Sequence, residues 1–212
     1  AESYMQWMAE EVNDVLIANH SDFLIRYFEK LGQPEDAMAL ANRAAETYAQ
    51  GGLLAKARLL EGRRNFEGAL DLHRKIQERY GDVGGLIGFL GRAQKAQANP
   101  RFATLRETLL RENLPSGLLP LDRTATPVAP TRGVLVHSEN RLIREAGLKE
   151  GDIVVGSRGY RVENWQAFKL IRSLESEAPF VMTIWRGGAY LDLKALPSSY
   201  RFGIDLIDYP AR

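Results

Sequence analysis

The stretch Gly133-Val-Leu-Val-His-Ser-Glu-Asn-Arg-Leu-Ile-Arg-Glu-Ala-Gly147-Leu-Lys-Glu-Gly151-Asp152-Ile-Val-Val155 decides how the second half of the chain is interpreted. Its two ends are short and rich in Val, Leu and Ile, which predicts two strands. The polar segment between them predicts a short helix that Gly147 can end in a left-handed conformation. Leu148 is expected to be buried, and Gly151-Asp152 is expected to turn the chain into the second strand.

The residues after this stretch continue the pattern of short strands and tight turns. Glycines in Arg158-Gly159 and Arg186-Gly-Gly188 predict turns that need left-handed backbone. Asn164 is a favourable N-cap residue and predicts a helix from Asn164 to Leu174. The further predicted strands are Phe180–Trp185 and Tyr190–Leu196.

The order strand, short helix, Ala-Gly-Leu-x-x-Gly-Asp and strand resembles the bacterial PDZ domain. The resemblance covers residues 132–212 and implies a β-sandwich or barrel with two helices. Arg158-Gly159 stands where the family has an Asn-Gly turn. PDZ domains bind an extended peptide, often a C-terminus, as a strand added between one strand and the longer helix.

The end of the chain resembles the part of a PDZ domain that normally comes first. Tyr190–Leu196 leads through Pro197-Ser-Ser199 into Tyr200-Arg-Phe-Gly-Ile-Asp-Leu-Ile207, which is similar to the family's strand, x-Φ-Gly-Φ loop and peptide-binding strand. This order implies a circularly permuted domain. The alternative is that residues 200–207 form only a closing edge strand, with the groove filled by the linker or unused.

The PDZ resemblance implies a set of peptide-binding residues. The amides of Phe202, Gly203 and Ile204 would hold a terminal carboxylate, and Arg201 and Arg172 could add charge complementarity. The apolar groove would be lined by Phe202, Ile204 and Leu206 opposite Asn164, Phe168 and Ile171.

Residues 1–114 predict helix after helix and contain a repeat. Three segments place an alanine after a small residue and a polar turn, with Ala37, Ala69 and Ala103 spaced 32 and 34 residues apart. This spacing resembles the tetratricopeptide repeat (TPR) and implies an α-α superhelix in which the alanine lies where two helices cross. A first helix, Glu2 to Ala18, is expected to pack at the end of the stack through one apolar stripe, which consists of Met5, Met8, Val12, Val15 and Leu16.

TPR stacks bind peptides on a concave face lined by the first helix of each repeat. In that register Arg26, Arg58 and Arg92, with Lys95 nearby, would lie on the concave face and could attract an acidic ligand. The alternative is that Glu29 and Glu61, three residues after the first two arginines, pair with them on the helix surface.

Three predicted parts follow: a TPR-like helical repeat domain (1–114), a Pro-rich linker (115–131) and a PDZ-like domain (132–212). The four prolines of the linker exclude a continuous helix and favour an extended connector. The glycines between Gly84 and Gly91 have no preceding strand, so close helix packing is preferred to a dinucleotide loop.

The composition argues against several classes of function. The 28 Lys and Arg nearly balance the 27 Asp and Glu, which disfavours nucleic-acid binding. The chain has no Cys and only three scattered His, so we expect no metal, no cofactor and no catalytic centre. No apolar run is long enough to predict a membrane span.

The sequence therefore predicts a non-catalytic scaffold or adaptor that binds proteins through both domains. Two alternatives stay open: the regulatory part of a larger protease, and a structural assembly module with an internally occupied groove. The chain begins at Ala1 without Met, so an anchor, a signal peptide or further domains could precede it. The PDZ resemblance favours a location outside the cytoplasm.

Overall fold

The computed structural model describes Ser3, Gln6 and residues 13–122, 128–138, 141–174, 180–195 and 206–209. These residues form nine helices and a six-stranded antiparallel sheet, which confirms the predicted mixture of α and β structure. The helices are α1 Asp14–His20, α2 Asp22–Lys30, α3 Pro34–Glu46, α4 Gln50–Gly62, α5 Phe66–Tyr80, α6 Val83–Gln97, α7 Pro100–Asn113, α8 Arg141–Glu145 and α9 Trp165–Ser173. The strands are β1 Gly133–Val136, β2 Ile153–Ser157, β3 Tyr160–Arg161, β4 Phe180–Arg186, β5 Ala189–Ala195 and β6 Leu206–Tyr209.

The chain divides into two compact units, and the boundary in the chain falls between Asp82 and Val83. The first unit contains α1 to α5. The second contains α6, α7, the sheet and the two remaining helices, so the third helix pair belongs to the same compact unit as the sheet. The sequence places its domain boundary later, in the linker at 115–131, and the independence of those predicted domains stays a prediction.

The turns inside the three helix pairs repeat one local structure. Gly32, Arg64 and Ala98 end the first helix of each pair, and all three have positive φ, of 71°, 60° and 49°. Their spacing is that of the repeat predicted from the sequence. In the first unit Ala37 and Ala69 are completely buried, as the crossing point of two helices requires.

The first helix differs from the expectation. Asn13 accepts hydrogen bonds from the backbone nitrogens of Val15 and Leu16, both at 3.1 Å, and thereby begins a separate helix at Asp14. Val15 and Leu16, expected on the packing stripe, are exposed, while Ile17 and Ala18 are buried. The helix starts at Asp14 because Asn13 supplies an acceptor for amides that a helix start leaves without partners.

The sheet has the order β5-β4-β2-β1-β6, with β3 paired to β2. Its core side packs on α9, and one apolar cluster joins Val134 and Val154 of the sheet to Phe168 and Ile171 of the helix. Part of the linker is also bound to this sheet. Pro120 bridges to Tyr160, and the Leu121 amide donates to the Gly159 carbonyl oxygen at 2.8 Å.

Helix α6 lies unusually close to α9. A Cβ atom on Gly88 would lie 2.6 Å from the carbonyl oxygen of Ser173, and one on Gly84 would lie 2.6 Å from the Ser173 hydroxyl oxygen. Since real Cβ atoms do not approach this closely, these glycines are the positions that permit the contact. The close packing expected of this glycine-rich segment is confirmed.

Candidate peptide-binding site

The Ala-Gly-Leu-x-x-Gly-Asp segment has the local structure that its residues predict. Gly147 and Gly151 have φ of 77° and 85°, and Leu148 is buried in the core. Asp152 is also buried, and its Oδ2 accepts a hydrogen bond from the Lys149 amide at 2.7 Å. The segment thereby delivers the chain into β2, next to β1.

The buried Asp152 is paired with a cationic side chain that no pattern in the sequence identifies. Arg186, at the end of β4, donates through Nε to Oδ1 at 2.7 Å and through Nη2 to Oδ2 at 2.6 Å. The same Nη2 also donates to the Gly147 carbonyl oxygen at 2.9 Å. The pair holds the turn against the Gly187-Gly188 hairpin, and such fork-shaped pairs are the strongest that arginine makes.

Helix α9 forms one wall of the predicted groove. Asn164 caps it as expected, since its Oδ1 accepts a hydrogen bond from the Ala167 amide at 2.8 Å. Phe168 and Ile171 are only 0% and 1% exposed. The guanidinium carbon of Arg172 lies 5.8 Å from the centre of the Phe168 ring. This wall therefore presents a polar cap and a cation, while its apolar side chains are covered.

Strand β6 forms the other wall. It pairs antiparallel with β1, with Leu206 opposite Val136 and Tyr209 opposite Gly133. Leu206 is 6% exposed and belongs to the same apolar cluster as Phe168 and Ile171. Among the strands that the structure describes, β6 ends the sheet order and pairs only with β1.

A direct hydrogen bond joins the two walls. The Asp208 Oδ1 of β6 accepts a hydrogen bond of 2.5 Å from the backbone nitrogen of Trp165, the first residue of α9. Asp208 and Leu206 are two residues apart, so both side chains lie on the face of the strand that is directed toward the helix. No sequence pattern pointed to this contact.

The structure brings together three of the predicted groove residues and leaves others untested. Phe168, Ile171 and Leu206 share one cluster, and Asn164 and Arg172 lie on the adjoining helix. The remaining predicted residues, which include the proposed carboxylate-binding loop, lie outside the described residues. They are Arg201, Phe202, Gly203 and Ile204.

A polar cleft of about 270 Å³ lies at the N-terminal end of α9. Its lining combines the start of that helix with the end of α7, the first linker residues and two arginines. The charged and amide side chains that line it are Asn113, Arg132, Arg161, Glu163, Asn164 and Gln166. Sequence patterns did not predict this cleft, because its residues come from three separate segments of the chain.

The arginines predicted for the concave TPR face have partners different from those expected. Arg26 and Arg58 both contact Asp22 Oδ2, at 2.8 Å and 3.3 Å, so they lie on one surface of the first unit. Arg92 and Lys95 are exposed residues of α6 in the second unit.

The glutamates proposed as alternative partners make other contacts. Glu29 Oε1 lies 2.6 Å from Arg63 Nη2, and Glu61 Oε1 lies 3.0 Å from the buried His73 Nε2. The expected pairing of Glu29 with Arg26 and of Glu61 with Arg58 is therefore replaced by longer-range pairs. Helix-to-helix contacts decide these partners, and i+3 spacing alone cannot distinguish them.

Metal binding and membrane crossing are two other roles that the described residues can be compared with. No cluster of three or more His, Cys, Asp or Glu side chains in that part of the chain could hold a metal ion. No helix there combines the length and the apolar character that a membrane crossing requires.

The described residues define a mixed α and β protein of two compact units, with helix pairs in both and an antiparallel sheet in the second. Comparison of the chain with protein-family models, with curated proteins and with solved structures finds no match. The TPR and PDZ resemblances therefore remain predictions from the sequence.

Proposed function

We propose that the protein is a non-catalytic interaction module whose second unit binds an extended peptide along the outer edge of β6, beside α9. The observation that carries the proposal is the position of β6. This strand ends the described sheet order, and its Asp208 is bonded to the first residue of α9. A strand edge next to a helix is the arrangement in which peptides add to a sheet, because their main-chain groups pair with the edge strand.

The burial of the groove residues sets a condition on this binding. Phe168, Ile171 and Leu206 are almost completely buried, so a ligand side chain reaches them only when α9 and β6 separate. Separation would break the bond between Asp208 and Trp165. The apparent affinity for a peptide is then the intrinsic affinity of the open form multiplied by the fraction of molecules that are open.

The same burial favours a second candidate function, a structural assembly module whose groove is internally closed. In that case α9 and β6 stay together and the edge accepts no free peptide. The two candidates differ in one measurable property, which is binding of short peptides in solution.

The test is a binding screen of the full chain against a library of peptides with free C-termini. The best binder is then resynthesised with a C-terminal amide, and with backbone N-methyl groups at alternate positions. Strand addition predicts that N-methylation weakens binding at one set of alternate residues and leaves the other set unaffected, because a strand directs alternate amides to opposite edges. Equal effects at every position, or the absence of any binder, would contradict the proposal, and the second outcome would favour the closed module.

The first unit is proposed to contact a second protein through the surface of Arg26 and Arg58. Their shared contact with Asp22 leaves two guanidinium groups around one carboxylate on that surface. Two linked contacts raise the effective concentration of the second one to roughly millimolar. Arg26→Gln and Arg58→Gln, introduced singly, should each weaken capture of an acidic peptide by the full chain, whereas Arg43→Gln, whose partner is Asp14, serves as the charge-matched control.

A further inference from the structure

Three residues of the linker lie on the sheet as an added strand. The Leu121 amide donates to the Gly159 carbonyl oxygen at 2.8 Å, and the Arg161 amide donates to the Leu119 carbonyl oxygen at 2.7 Å. Pro120 lies opposite Tyr160, between these two bonds. Residues 119–121 therefore pair antiparallel with the edge of β3 that is directed away from β2.

The pairing pattern accommodates a proline in the middle of this strand. In an antiparallel pair, alternate residues direct their amides away from the partner strand. Pro120 stands at such a position, so its missing N–H removes no bond to β3. The leucines on either side supply the carbonyl and the amide that the pairing uses. The edge of β3 therefore fits the pattern Leu-Pro-Leu, whereas a proline one residue later would remove the bond to Gly159.

The Leu121 side chain is seated against a glycine of β2. A Cβ atom on Gly156 would lie 2.6 Å from Leu121 Cδ2, which is closer than real Cβ atoms approach. A glycine inside a strand often marks such a close approach, and here it leaves the space that the leucine fills beside Thr183. We call Gly156 together with the backbone of residues 159–161 the β3 edge site.

The linker makes only a small contact with the β3 edge site. Leu119 is 41% exposed, and Pro120 and Asp122 are exposed as well. A cleft of about 430 Å³ adjoins these residues, and its lining includes Val155 and Val162. A longer extended peptide that also fills this cleft can therefore contact more of the sheet than residues 119–121 do.

We infer that the β3 edge site is a second peptide-binding site, at which an extended Leu-Pro-Leu segment of another protein displaces the linker. The site is separate from the proposed β6 edge, because β3 pairs with β2 whereas β6 pairs with β1. The linker acts as a competing ligand within the same chain. It lowers the apparent affinity for the incoming segment in proportion to the fraction of molecules in which the site is free.

The test uses a peptide with the sequence of residues 116–122, Ser-Gly-Leu-Leu-Pro-Leu-Asp, blocked at both ends. Binding to the full chain is measured from the NMR shifts of the β3 amides as the peptide is added. Leu121→Gly empties the space beside Gly156 and weakens the competing strand, so this variant should bind the peptide at least about tenfold more tightly than the wild type. Val128→Gly removes an exposed linker side chain and should bind the peptide as the wild type does.

A second peptide of the same composition tests the pairing pattern. In Ser-Gly-Leu-Leu-Leu-Pro-Asp the proline stands where an amide donates to Gly159, so Leu121→Gly should bind it at least about tenfold more weakly than the first peptide. Gly156→Ala, added to Leu121→Gly, should weaken binding of the first peptide to a similar extent. Hydrogen exchange of the β4 and β5 amides shows whether the sheet of this double variant is intact. The second peptide tests the site without any substitution in the sheet.

Three results would overturn the inference. The first is equal binding of the two peptides by Leu121→Gly, or no tighter binding of the first peptide by this variant than by the wild type. The second is a wild-type dimer at high concentration that Leu121→Gly abolishes, because the site would then hold the linker of a second copy. The third is a set of shifts confined to β6, which would assign the peptide to the proposed β6 edge and leave that proposal standing.

Discussion

Asp208 on β6 accepts a hydrogen bond of 2.5 Å from the backbone nitrogen of Trp165. The first turn of α9 therefore has two side-chain acceptors, since Asn164 also accepts from the Ala167 amide. One is local and one comes from a strand far along the sequence. Both satisfy amides that a helix start leaves without partners inside the helix.

Replacing Asp208 should loosen the start of α9 and the edge strand together. Asp208→Ala is expected to destabilise the second unit by about 1 kcal/mol, as loss of a capping acceptor does. Asp208→Asn should cost less, because its oxygen can still accept. Hydrogen exchange should show faster opening at both Trp165 and β6 in the alanine variant, and a change confined to β6 would argue against the link.

Removing the partner of Asp152 should be more damaging than removing both charges. Arg186→Gln leaves a buried carboxylate that keeps only the Lys149 amide, and a loss of about 3 kcal/mol is expected. The double variant Arg186→Gln/Asp152→Asn should recover part of this loss. Urea unfolding of the wild type, Arg186→Gln, Asp152→Asn and the double variant measures the coupling energy between the two side chains. A double variant less stable than Arg186→Gln would contradict the pairing of Arg186 with Asp152.

Gly88 should not tolerate a side chain, in contrast with Gly62. A Cβ at position 88 would meet the Ser173 carbonyl oxygen, so Gly88→Ala is expected to destabilise the second unit by about 1 to 3 kcal/mol. Nothing lies within 4 Å of a Cβ at Gly62, near the end of α4, and Gly62→Ala should be neutral or stabilising by up to about 1 kcal/mol. Thermal unfolding compares the two, and equal effects would contradict the close contact of α6 with α9.

The repeated alanines should differ in their tolerance of a larger residue. Ala37→Val and Ala69→Val should each cost about 1 to 3 kcal/mol, since both alanines are completely buried between helices. Ala103, at the same position of the third pair, is only partly buried. Ala103→Val should therefore lower the free energy of unfolding by less than about 1 kcal/mol. Segment-resolved hydrogen exchange measures each unit separately, and a uniform response at the three positions would show that burial is not the cause.

Patterns local in sequence predicted local structure well. The positive φ of Gly147 and Gly151 and the Asn164 cap depend on a few neighbouring residues. The first helix is the exception, because the apolar stripe was continued through Asn13. An asparagine followed by an acidic residue is itself a helix-start signal, and it outweighs a continuous stripe.

Local sequence patterns predicted only part of the candidate site. The sequence identified Phe168, Ile171 and Leu206 as one apolar set, and they do share a cluster. It did not indicate that they are covered, because coverage depends on how closely α9 approaches β6. The cleft around Arg132 and Arg161 was also missed, since neither residue has a distinctive local pattern.

What the sequence by itself determined is therefore the succession of helices, turns and strands, including the repeat at 32 and 34 residues. These features follow from backbone preferences and apolar spacing, which act over a few residues. Only the tertiary structure decided the partners: Arg186 for Asp152, Trp165 for Asp208, and α9 for the glycines of α6. Such contacts join residues far apart in the chain, and many pairings are compatible with the same local patterns until packing and charge select one.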